Sequence, residues 1–410
     1  MQYERFKLSE LGELKRGKSK HRPRNDEKLF GGEYPFIQTG EIKSAEWKID
    51  SFQLTYNEFG LSQSRLWPKE TLCITIAANI AETAILDFPA CFPDSVIGFI
   101  PDKNKANVYY VDYVLRNYKN KLIKSASQTA QKNINLQTFE REELLFPNIQ
   151  KQNEIVGKII PYEEKIRNNN SKIKVLDKYS QLLFYKWFID FNFPDKNGND
   201  YKDNGGEMKE VDGKLIPVGW SYKEVPEVCS IIDCLHAEKP KRLNENNTNI
   251  LLQLFNIKEY GLLDLTEKYC ITDEDYDLWT SRIEVSTGDI LITNAGRVGA
   301  MAQVPKECKC AIGRNITAIR PISVPPTYVY LYLNSEDCAR QIKKNTDKGS
   351  FFGSLNVRGI KQLKILMGEE SIIEKFEDKM REVRKKIEML NIENQKLIEI
   401  RDLLIKKLIK

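Results

Sequence analysis

The feature of this sequence that most limits its fold is an internal repeat. Residues 69–86, which contain KETLCIT, resemble residues 287–304, which contain TGDILIT, at an offset of about 218. Residues 133–145 match residues 354–366 at an offset of 221. A repeat of this length duplicates a complete folding unit, and 410 residues are too many for one hydrophobic core. The chain should therefore contain two similar domains.

Both copies present the same elements in the same order. Residues 69–86 and 287–304 each indicate two short strands joined by a polar loop, and helices are predicted at 111–122 and 328–342. A long helical stretch follows each copy. The predicted fold class is α+β, with two globular α+β domains separated by two long antiparallel coiled-coil helices. The expected boundaries are head 1 (1–148), the first spacer helix (149–190), a connector loop (191–219), head 2 (220–368) and the second spacer helix (369–410).

The spacer helices are predicted from apolar residues that alternate at spacings of four and three, which is the pattern of a coiled-coil seam. The first seam consists of Ile155, Ile159, Tyr162, Ile166, Asn169, Ile173, Leu176, Ser180, Leu183 and Trp187. The second consists of Phe376, Met380, Val383, Ile387, Leu390, Asn394, Leu397, Arg401, Leu404 and Leu408. Four heptads on each side favour a long spacer over an ordinary core helix.

The register of the spacer follows from its polar seam residues. A buried asparagine is costly unless it is paired, so Asn169 is expected opposite Asn394 in an antiparallel arrangement. This register also places Trp187 beside Phe376. Tyr162 then faces Arg401, whose guanidinium would lie on the tyrosine ring.

Charge is concentrated in a few places. The net charge is only +5, but residues 15–24 contain six Lys or Arg and no acid, and residues 239–242 form a smaller basic cluster. Such clusters attract phosphate, although a solvated basic loop has the same composition. No apolar run is long enough for a membrane helix and the N-terminus lacks the apolar core of a signal peptide, so a cytoplasmic protein is expected.

Two parts of the sequence match the letter patterns of catalytic motifs, but the residues around them argue against both functions. Residues 12–19 fit the phosphate-loop pattern GxxxxGK[ST], but the residues that follow cannot open an apolar-faced helix. Asp195, Glu207 and Lys209 fit the carboxylate and lysine pattern of metal-dependent nucleases, but they lie in the Gly/Asn-rich connector. The eight cysteines are expected to be buried free thiols, with zinc held by Cys229, Cys234 and His236 as the alternative.

A central block of the sequence carries a family resemblance. It comprises WFIDFNFP at 187–194, GGEM at 205–208 and IPVGW at 216–220. This block, the repeated segments and the alternation of two heads with two long helices resemble the specificity subunits of Type I restriction-modification systems over essentially the whole chain.

The resemblance implies a division of labour. Each head would be a target-recognition domain that reads one half of a bipartite site in double-stranded DNA, and two modification subunits would dock on the spacer and methylate adenines. Restriction subunits would add translocation and cleavage. S-adenosylmethionine, ATP and magnesium would all be bound by these partners, and this chain would contribute no catalytic residue, cofactor or metal.

The candidate DNA contacts are chosen by side-chain chemistry. Lys and Arg bind phosphates, Arg also reads guanine, and Asn or Gln reads adenine. In head 1 the candidates are Arg16, Lys18, Lys20, Arg22 and Arg24 for the backbone, with Gln38, Asn79, Gln128, Gln131 and Lys132 nearer the bases. In head 2 they are Lys241, Arg242, Asn294, Arg297, Arg314, Lys348, Phe351, Phe352 and Arg358.

Two other classes of protein remain possible at this point. One is an enzyme with its own site, either a nuclease using Asp195, Glu207 and Lys209 or a methyltransferase. The other is a scaffold that recruits partners through its coiled coil and does not bind DNA.

Overall fold

A computed structural model describes residues 3–45, 47–77, 80–127, 136–244, 248–347 and 353–409. The chain divides into two compact units. Unit 1 comprises Met1–Lys165 and Leu397–Lys410, and unit 2 comprises Ile166–Lys396.

Unit 1 contains head 1. Its strands are β1 (Glu4–Phe6), β2 (Gly12–Arg16), β3 (Phe30–Phe36), β4 (Lys48–Ile49), β5 (Leu54–Tyr56), β6 (Leu72–Thr75), β7 (Thr83–Leu86), β8 (Val96–Pro101) and β9 (Leu144–Phe146). Its helices are α1 (Leu8–Leu11), α2 (Thr39–Ser44), α3 (Glu58–Ser62), α4 (Val108–Ser127) and α5 (Leu136–Arg141). The long helix α6 (Ile149–Phe188) follows. The central sheet has the order β2-β8-β6-β7-β4, and β6 and β7 are buried along their whole length.

Unit 2 contains the connector and head 2. Its strands are β10 (Met208–Val211), β11 (Lys214–Pro217), β12 (Ser221–Glu224), β13 (Cys229–Asp233), β14 (Leu251–Leu252), β15 (Ile290–Thr293), β16 (Met301–Gln303), β17 (Ala311–Ile312), β18 (Ile316–Pro321) and β19 (Lys364–Met367). Its helices are α7 (Val225–Val228), α8 (Asp273–Thr280), α9 (Pro326–Leu333), α10 (Glu336–Asn345), α11 (Val357–Lys361) and most of the long α12 (Glu370–Leu408), whose residues from Leu397 onward belong to unit 1. The part of α6 from Ile166 onward also belongs to unit 2.

The repeat seen in the sequence is a repeat of strand pairing. The sheet of head 2 has the order β13-β18-β15-β16, which corresponds to β2-β8-β6-β7 in head 1. In head 1 Arg16 pairs with Ile97, and in head 2 Asp233 pairs with Thr317 at the same point of the ladder. The predicted pairs of short strands are thus confirmed as β6–β7 and β15–β16. The chain is mixed α+β, as predicted.

The helix predicted at 328–342 is wrong in one respect, because two helices occupy this region. Helix α9 ends at Leu333, and α10 begins at Glu336. Ser335 separates them, and its hydroxyl accepts a hydrogen bond from the Cys338 backbone N–H at 3.3 Å, which caps α10.

Each head is attached to a spacer helix of its own unit by a buried polar side chain. In unit 1, Gln152 of α6 accepts a hydrogen bond from the Asn107 backbone N–H at 3.0 Å, just before α4 begins. In unit 2, the Glu377 carboxylate of α12 accepts from the Tyr328 N–H at 3.1 Å, in the first turn of α9. Backbone N–H groups at a helix start lack partners within the helix, so both contacts satisfy otherwise orphaned donors.

The spacer helices pack through their seams in each unit. In unit 2, Asn169 donates from Nδ2 to Asn394 Oδ1 at 3.0 Å, and the rings of Trp187 and Phe376 lie 5.7 Å apart. The structure therefore brings together two of the pairs that the predicted register requires. Asn394 also donates to Asn170 Oδ1 at 2.6 Å.

The predicted contact between Tyr162 and Arg401 in unit 1 needs correction. The Arg401 guanidinium pairs with the Glu163 carboxylate at 3.1 Å and with Asp402 at 2.8 Å. Glu163 is almost completely buried, and burial raises the pKa of its carboxyl although Arg401 and Arg116 oppose the shift. A buried carboxylate needs a cation more than a tyrosine ring does, which explains the partner that Arg401 takes.

The connector is more ordered than the loop that the sequence analysis predicts. Strands β10 and β11 form a hairpin, closed by the two-residue turn Asp212–Gly213. Both turn residues have positive φ angles, 50° and 75°, as a type I′ turn requires. The Asp-Gly dipeptide was the sequence signal for this hairpin. Nearby, Phe193 stacks on buried Trp220 with ring centroids 5.1 Å apart.

Candidate DNA interface

In the basic segment of head 1, residues 15–24, the backbone is hydrogen-bonded to the rest of the head and the Lys and Arg side chains are exposed to solvent. The Gly17 N–H donates to Val96 O at 2.8 Å, and the Lys20 N–H donates to Gln63 O at 3.0 Å. Ser64 also donates from its hydroxyl to Lys18 O at 2.9 Å. The backbone of this segment is therefore tied to the head. The predicted backbone-binding residues are all exposed: Arg16, Lys18, Lys20, Arg22 and Arg24.

Asp94, two residues before β8, contacts three of these arginines. Arg16 donates from Nε and Nη2 to the Asp94 backbone O at 3.0 and 2.7 Å. Arg24 Nη2 lies 2.8 and 2.9 Å from the two carboxylate oxygens of Asp94, and Arg22 Nη2 lies 4.0 Å from one of them. One acidic residue thus holds a cluster of cations on an exposed surface.

An open depression of about 690 Å³ lies beside this cluster. Arg24, Gln38 and Ser95 supply polar groups to its lining, and Phe30 and Phe36 supply an apolar wall. Of the head 1 candidates nearer the bases, the structure brings Gln38 to this depression. The others, Asn79, Gln128, Gln131 and Lys132, lie outside the described residues.

The head 2 candidates divide by what their side chains contact. Lys241, Arg242, Arg297, Arg314 and Arg358 are exposed. Three of them are also tied down: Arg314 donates from Nε to Ala237 O at 3.0 Å, Arg242 pairs with Glu267 at 2.9 Å, and Arg297 donates to Ile257 O. Lys348, Phe351 and Phe352 lie outside the described residues.

Asn294 is used inside head 2. Its Nδ2 donates to Leu355 O at 2.8 Å, and its Oδ1 accepts from the Thr317 hydroxyl at 3.1 Å. Both ends of the amide therefore join elements of the head. A base edge would have to displace these bonds, so the geometry favours a structural role for this residue.

The phosphate-loop match has the wrong geometry for a nucleotide. Residues Gly12–Arg16 form strand β2 and pair with β8, so their backbone groups are engaged in the sheet. A Cβ on Gly12 would lie 2.2 Å from Ile100 O, which explains the glycine by strand packing. A phosphate loop instead needs free backbone N–H groups that converge on an anion.

The nuclease match is also explained by local structure. Asp195 accepts from the N–H groups of Asn197 and Asn199 at 2.8 Å each, which closes a turn. Lys209 lies on β10 and pairs with Ile216. The prediction that Lys209 lies in a loop is thus wrong, because Lys209 is part of a β-hairpin.

The cysteines are free and buried, as predicted. Burial raises the pKa of Cys229 to about 12 and also raises that of Cys234, which disfavours the thiolate that zinc binds. Within the described part of the chain, ligand atoms of Asp233, Cys234 and His236 lie within 4.8 Å of one another. Cys229 does not belong to this group, which corrects the alternative zinc set.

Two features of the structure were not predicted from the sequence. Asp94 is separated by 70 or more residues from the arginines it holds, so no local pattern reveals it. Exposed apolar residues on the spacer helices were missed as well: Tyr179 and Leu182 on α6 are 49% and 56% exposed, and Ile400 and Leu403 on α12 are 42% and 67% exposed. Their signal was present, since both pairs are related by 221 residues, the offset of the repeat.

Comparisons with known proteins show a similarity to one family. Residues 2–178 match the family model described as "Type I restriction modification DNA specificity domain". Over these residues the chain is similar to the Type I specificity subunits. It is 22% identical to the Type I restriction enzyme MjaIX specificity subunit of Methanocaldococcus jannaschii, over 98% of this chain and 91% of that protein.

Two further proteins are similar to this chain. The Type I restriction enzyme HindI specificity subunit of Haemophilus influenzae is 21% identical over 65% of this chain and 68% of its own length. The crystal structure of a Type I restriction-modification S subunit from M. genitalium has the same fold, with a TM-score of 0.58 and 15% identity, over 100% of this chain and 96% of that chain. No helix among the described residues is long and apolar enough to cross a membrane.

Proposed function

We propose that this specificity subunit recognises a bipartite DNA site, with head 1 reading one half and head 2 the other. The observation that carries the proposal is that the two heads share the same arrangement of strands but have different side chains at equivalent positions. The ladder of β2 with β8 recurs as that of β13 with β18, yet Arg16 stands where head 2 has Asp233. Two similar frames with different charges suit two unlike half-sites.

The spacer offers a second part of the proposal, the docking of two modification subunits. The exposed pair Tyr179 and Leu182 on α6 has a counterpart in Ile400 and Leu403 on α12. Large apolar side chains left exposed at repeat-related positions favour contact with a partner, and equivalent patches favour two copies of one partner. Restriction subunits would join this assembly.

Catalysis is proposed to belong to the partners. The residues that match the phosphate-loop pattern begin with a paired strand, and those that match the nuclease pattern lie in a turn and a hairpin. This local structure supports the proposal that neither motif forms a catalytic site. S-adenosylmethionine, ATP and magnesium would be bound by the modification and restriction subunits. The chain would act in the cytoplasm, where these partners and the DNA are found.

The recognition proposal is tested by reconstituting the full chain with its modification subunits and sequencing the methylated products. A bipartite motif with one modified adenine in each half is expected. The purified chain alone, given magnesium, ATP or S-adenosylmethionine, should leave DNA and ATP unchanged. A continuous motif, or cleavage or methylation by the chain alone, would contradict the proposal.

The docking proposal is tested by placing a charge in one patch at a time. Leu182→Glu and Leu403→Glu should each reduce the bound modification subunits from two to one, measured as the mass of the assembled complex. Leu278→Glu is a matched control, because Leu278 is 50% exposed in head 2, away from the spacer helices in sequence. Two subunits still bound to both spacer variants would contradict docking at these patches.

A further inference from the structure

We infer that Asp94 is a positioning residue, which holds Arg24 at the depression of head 1 so that this arginine can read a base edge. The inference rests on the proposed function of head 1 and names the part of its surface where the bases are read. Asp94 is an acid within a strongly basic surface, a placement that weakens the attraction of DNA phosphates. An orienting role gives it a reason to be there.

The geometry of the ion pair supports orientation. Both contacts of Arg24 with the Asp94 carboxylate go through Nη2, at 2.8 and 2.9 Å. Within the described residues no hydrogen bond engages Nε or Nη1 of Arg24, and Nη2 donates one hydrogen bond, to Asp94 Oδ2. The second N–H of Nη2 and a neighbouring N–H of the guanidinium thus remain as two parallel donors for a guanine. Guanine presents O6 and N7 side by side, and arginine binds this pair with two parallel N–H donors. An arginine fixed by a second residue loses less rotamer freedom when it binds.

The depression beside Arg24 has the chemistry of a base-reading surface. Gln38 on its lining can bind adenine through its amide. The apolar wall formed by Phe30 and Phe36, whose rings lie 6.0 Å apart, suits a thymine methyl group. The loop that carries Arg24 is further fixed by the pair of His21 Nε2 with Asp26 Oδ2 at 2.8 Å.

A role of Asp94 as a surface charge and a role in positioning Arg24 predict different effects of replacing it. If Asp94 were only a surface charge, Asp94→Asn would strengthen DNA binding at every sequence, because a repulsive charge is lost. If Asp94 positions Arg24, the same change should lower discrimination in the half-site that head 1 reads and leave the other half-site as it was.

The experiment uses the full chain with its modification subunits and measures methylation of the cognate site and of sites with one base changed in either half. Asp94→Asn should lower discrimination at one or two base pairs of the head 1 half-site by at least about fivefold, as expected when a two-donor guanine contact is weakened. Asp94→Glu should restore part of it. Arg24→Lys keeps the positive charge but removes the two parallel N–H donors of the guanidinium, so it should lower discrimination in the same way.

Two controls separate the outcomes. Asp102→Asn removes a partly exposed acid of the same head, which pairs with Lys105 at 3.8 Å, and should leave discrimination unchanged. Equal loss in both half-sites, or unchanged discrimination in both Asp94→Asn and Arg24→Lys, would overturn the inference while the wild-type bipartite motif still stands. Absence of any bipartite motif in the wild-type complex would instead remove the proposed function.

Discussion

Head 1 and head 2 share a framework and differ in the charges placed on it. In both heads, the strand of the central sheet that comes first in the chain pairs with the strand that comes last: β2 with β8, and β13 with β18. Arg16 and Asp233 occupy equivalent ends of these two ladders. By the same register, Asp94 lies two residues before β8, and Arg314 lies two residues before β18. Acid and base have thus exchanged places between the heads.

The comparison separates what packing requires from what recognition requires. Buried strands β6 and β15 keep similar apolar sequences because both lie in the middle of a sheet. The polar ends of the ladders are free to differ, since no core depends on them. Changes in sequence preference should therefore arise at these ends without loss of the fold.

The largest expected effect comes from exchanging one head. Replacing residues 220–368 with the second head of another specificity subunit should change one half of the methylated motif completely. The other half should keep its bases, because head 1 and both spacer helices are unchanged. Sequencing of methylated DNA from cells carrying the hybrid measures both halves together, and a change in both would refute separate reading by two heads.

A smaller effect, on stability, should follow from removing the cation of the buried pair in unit 1. Arg401→Met leaves Glu163 buried without its 3.1 Å partner, which typically costs about 3 to 5 kcal/mol. Arg381→Met is the control, because Arg381 pairs with Asp378 on the surface and should cost less than about 1 kcal/mol. Urea unfolding of the full chain measures both.

The pH dependence of that loss has a defined sign. Burial already raises the pKa of Glu163, and Arg401 opposes this shift, so Arg401→Met should raise the pKa further. A carboxyl with a raised folded pKa is tolerated when protonated and penalised when ionised. The deficit of the variant should therefore grow as pH rises through the raised pKa. An equal deficit at pH 5 and pH 8 would show that Glu163 is not the group responsible.

The sequence could predict these elements to different degrees. Heptads and the repeat predict the long helices, the duplicated strands and the Asn169–Asn394 pair, because each depends on periodic burial. The ion pair of Glu163 could not be found this way, since Glu163 lies beside the seam, where a charged residue usually faces solvent. Asp94 depends on the sheet bringing distant residues together, which no local pattern encodes.

The asparagine pair of unit 2 should contribute less to stability than the charged pair of unit 1. Asn394→Leu removes one acceptor of the Asn169 amide, whose Nδ2 keeps its hydrogen bond to Glu393 Oε2 at 2.9 Å, and should cost about 1 kcal/mol. Replacing Asn169 with Leu as well removes the remaining buried amide and should recover most of the loss, since an apolar seam pair packs well. Urea unfolding of the single and double variants decides, and a double variant less stable than Asn394→Leu would contradict the argument.

The smallest expected effect concerns one exposed cation of the basic segment in head 1. Lys18 has a backbone tied to Phe92 O and an exposed side chain, which suits a phosphate contact. Lys18→Ala should weaken binding of the assembled complex to DNA by about two- to fivefold and make the salt dependence less steep by about 0.9 in slope. The recognised motif should not change, because phosphate contacts carry no base information.

Lys103→Ala provides the matched control, since Lys103 is 87% exposed in the same head and has only a 4.0 Å contact with Glu70. If both variants reduce the salt dependence of DNA binding equally, the cause is the loss of one positive charge anywhere on the surface and not the loss of a phosphate contact at Lys18. ATP hydrolysis by the full complex at saturating DNA should be normal in both variants, because β2 gives Lys18 no phosphate loop to serve. Loss of hydrolysis in Lys18→Ala alone would mean that residues 12–19 bind nucleotide after all, and head 1 would then differ from head 2 in chemistry as well as in charge.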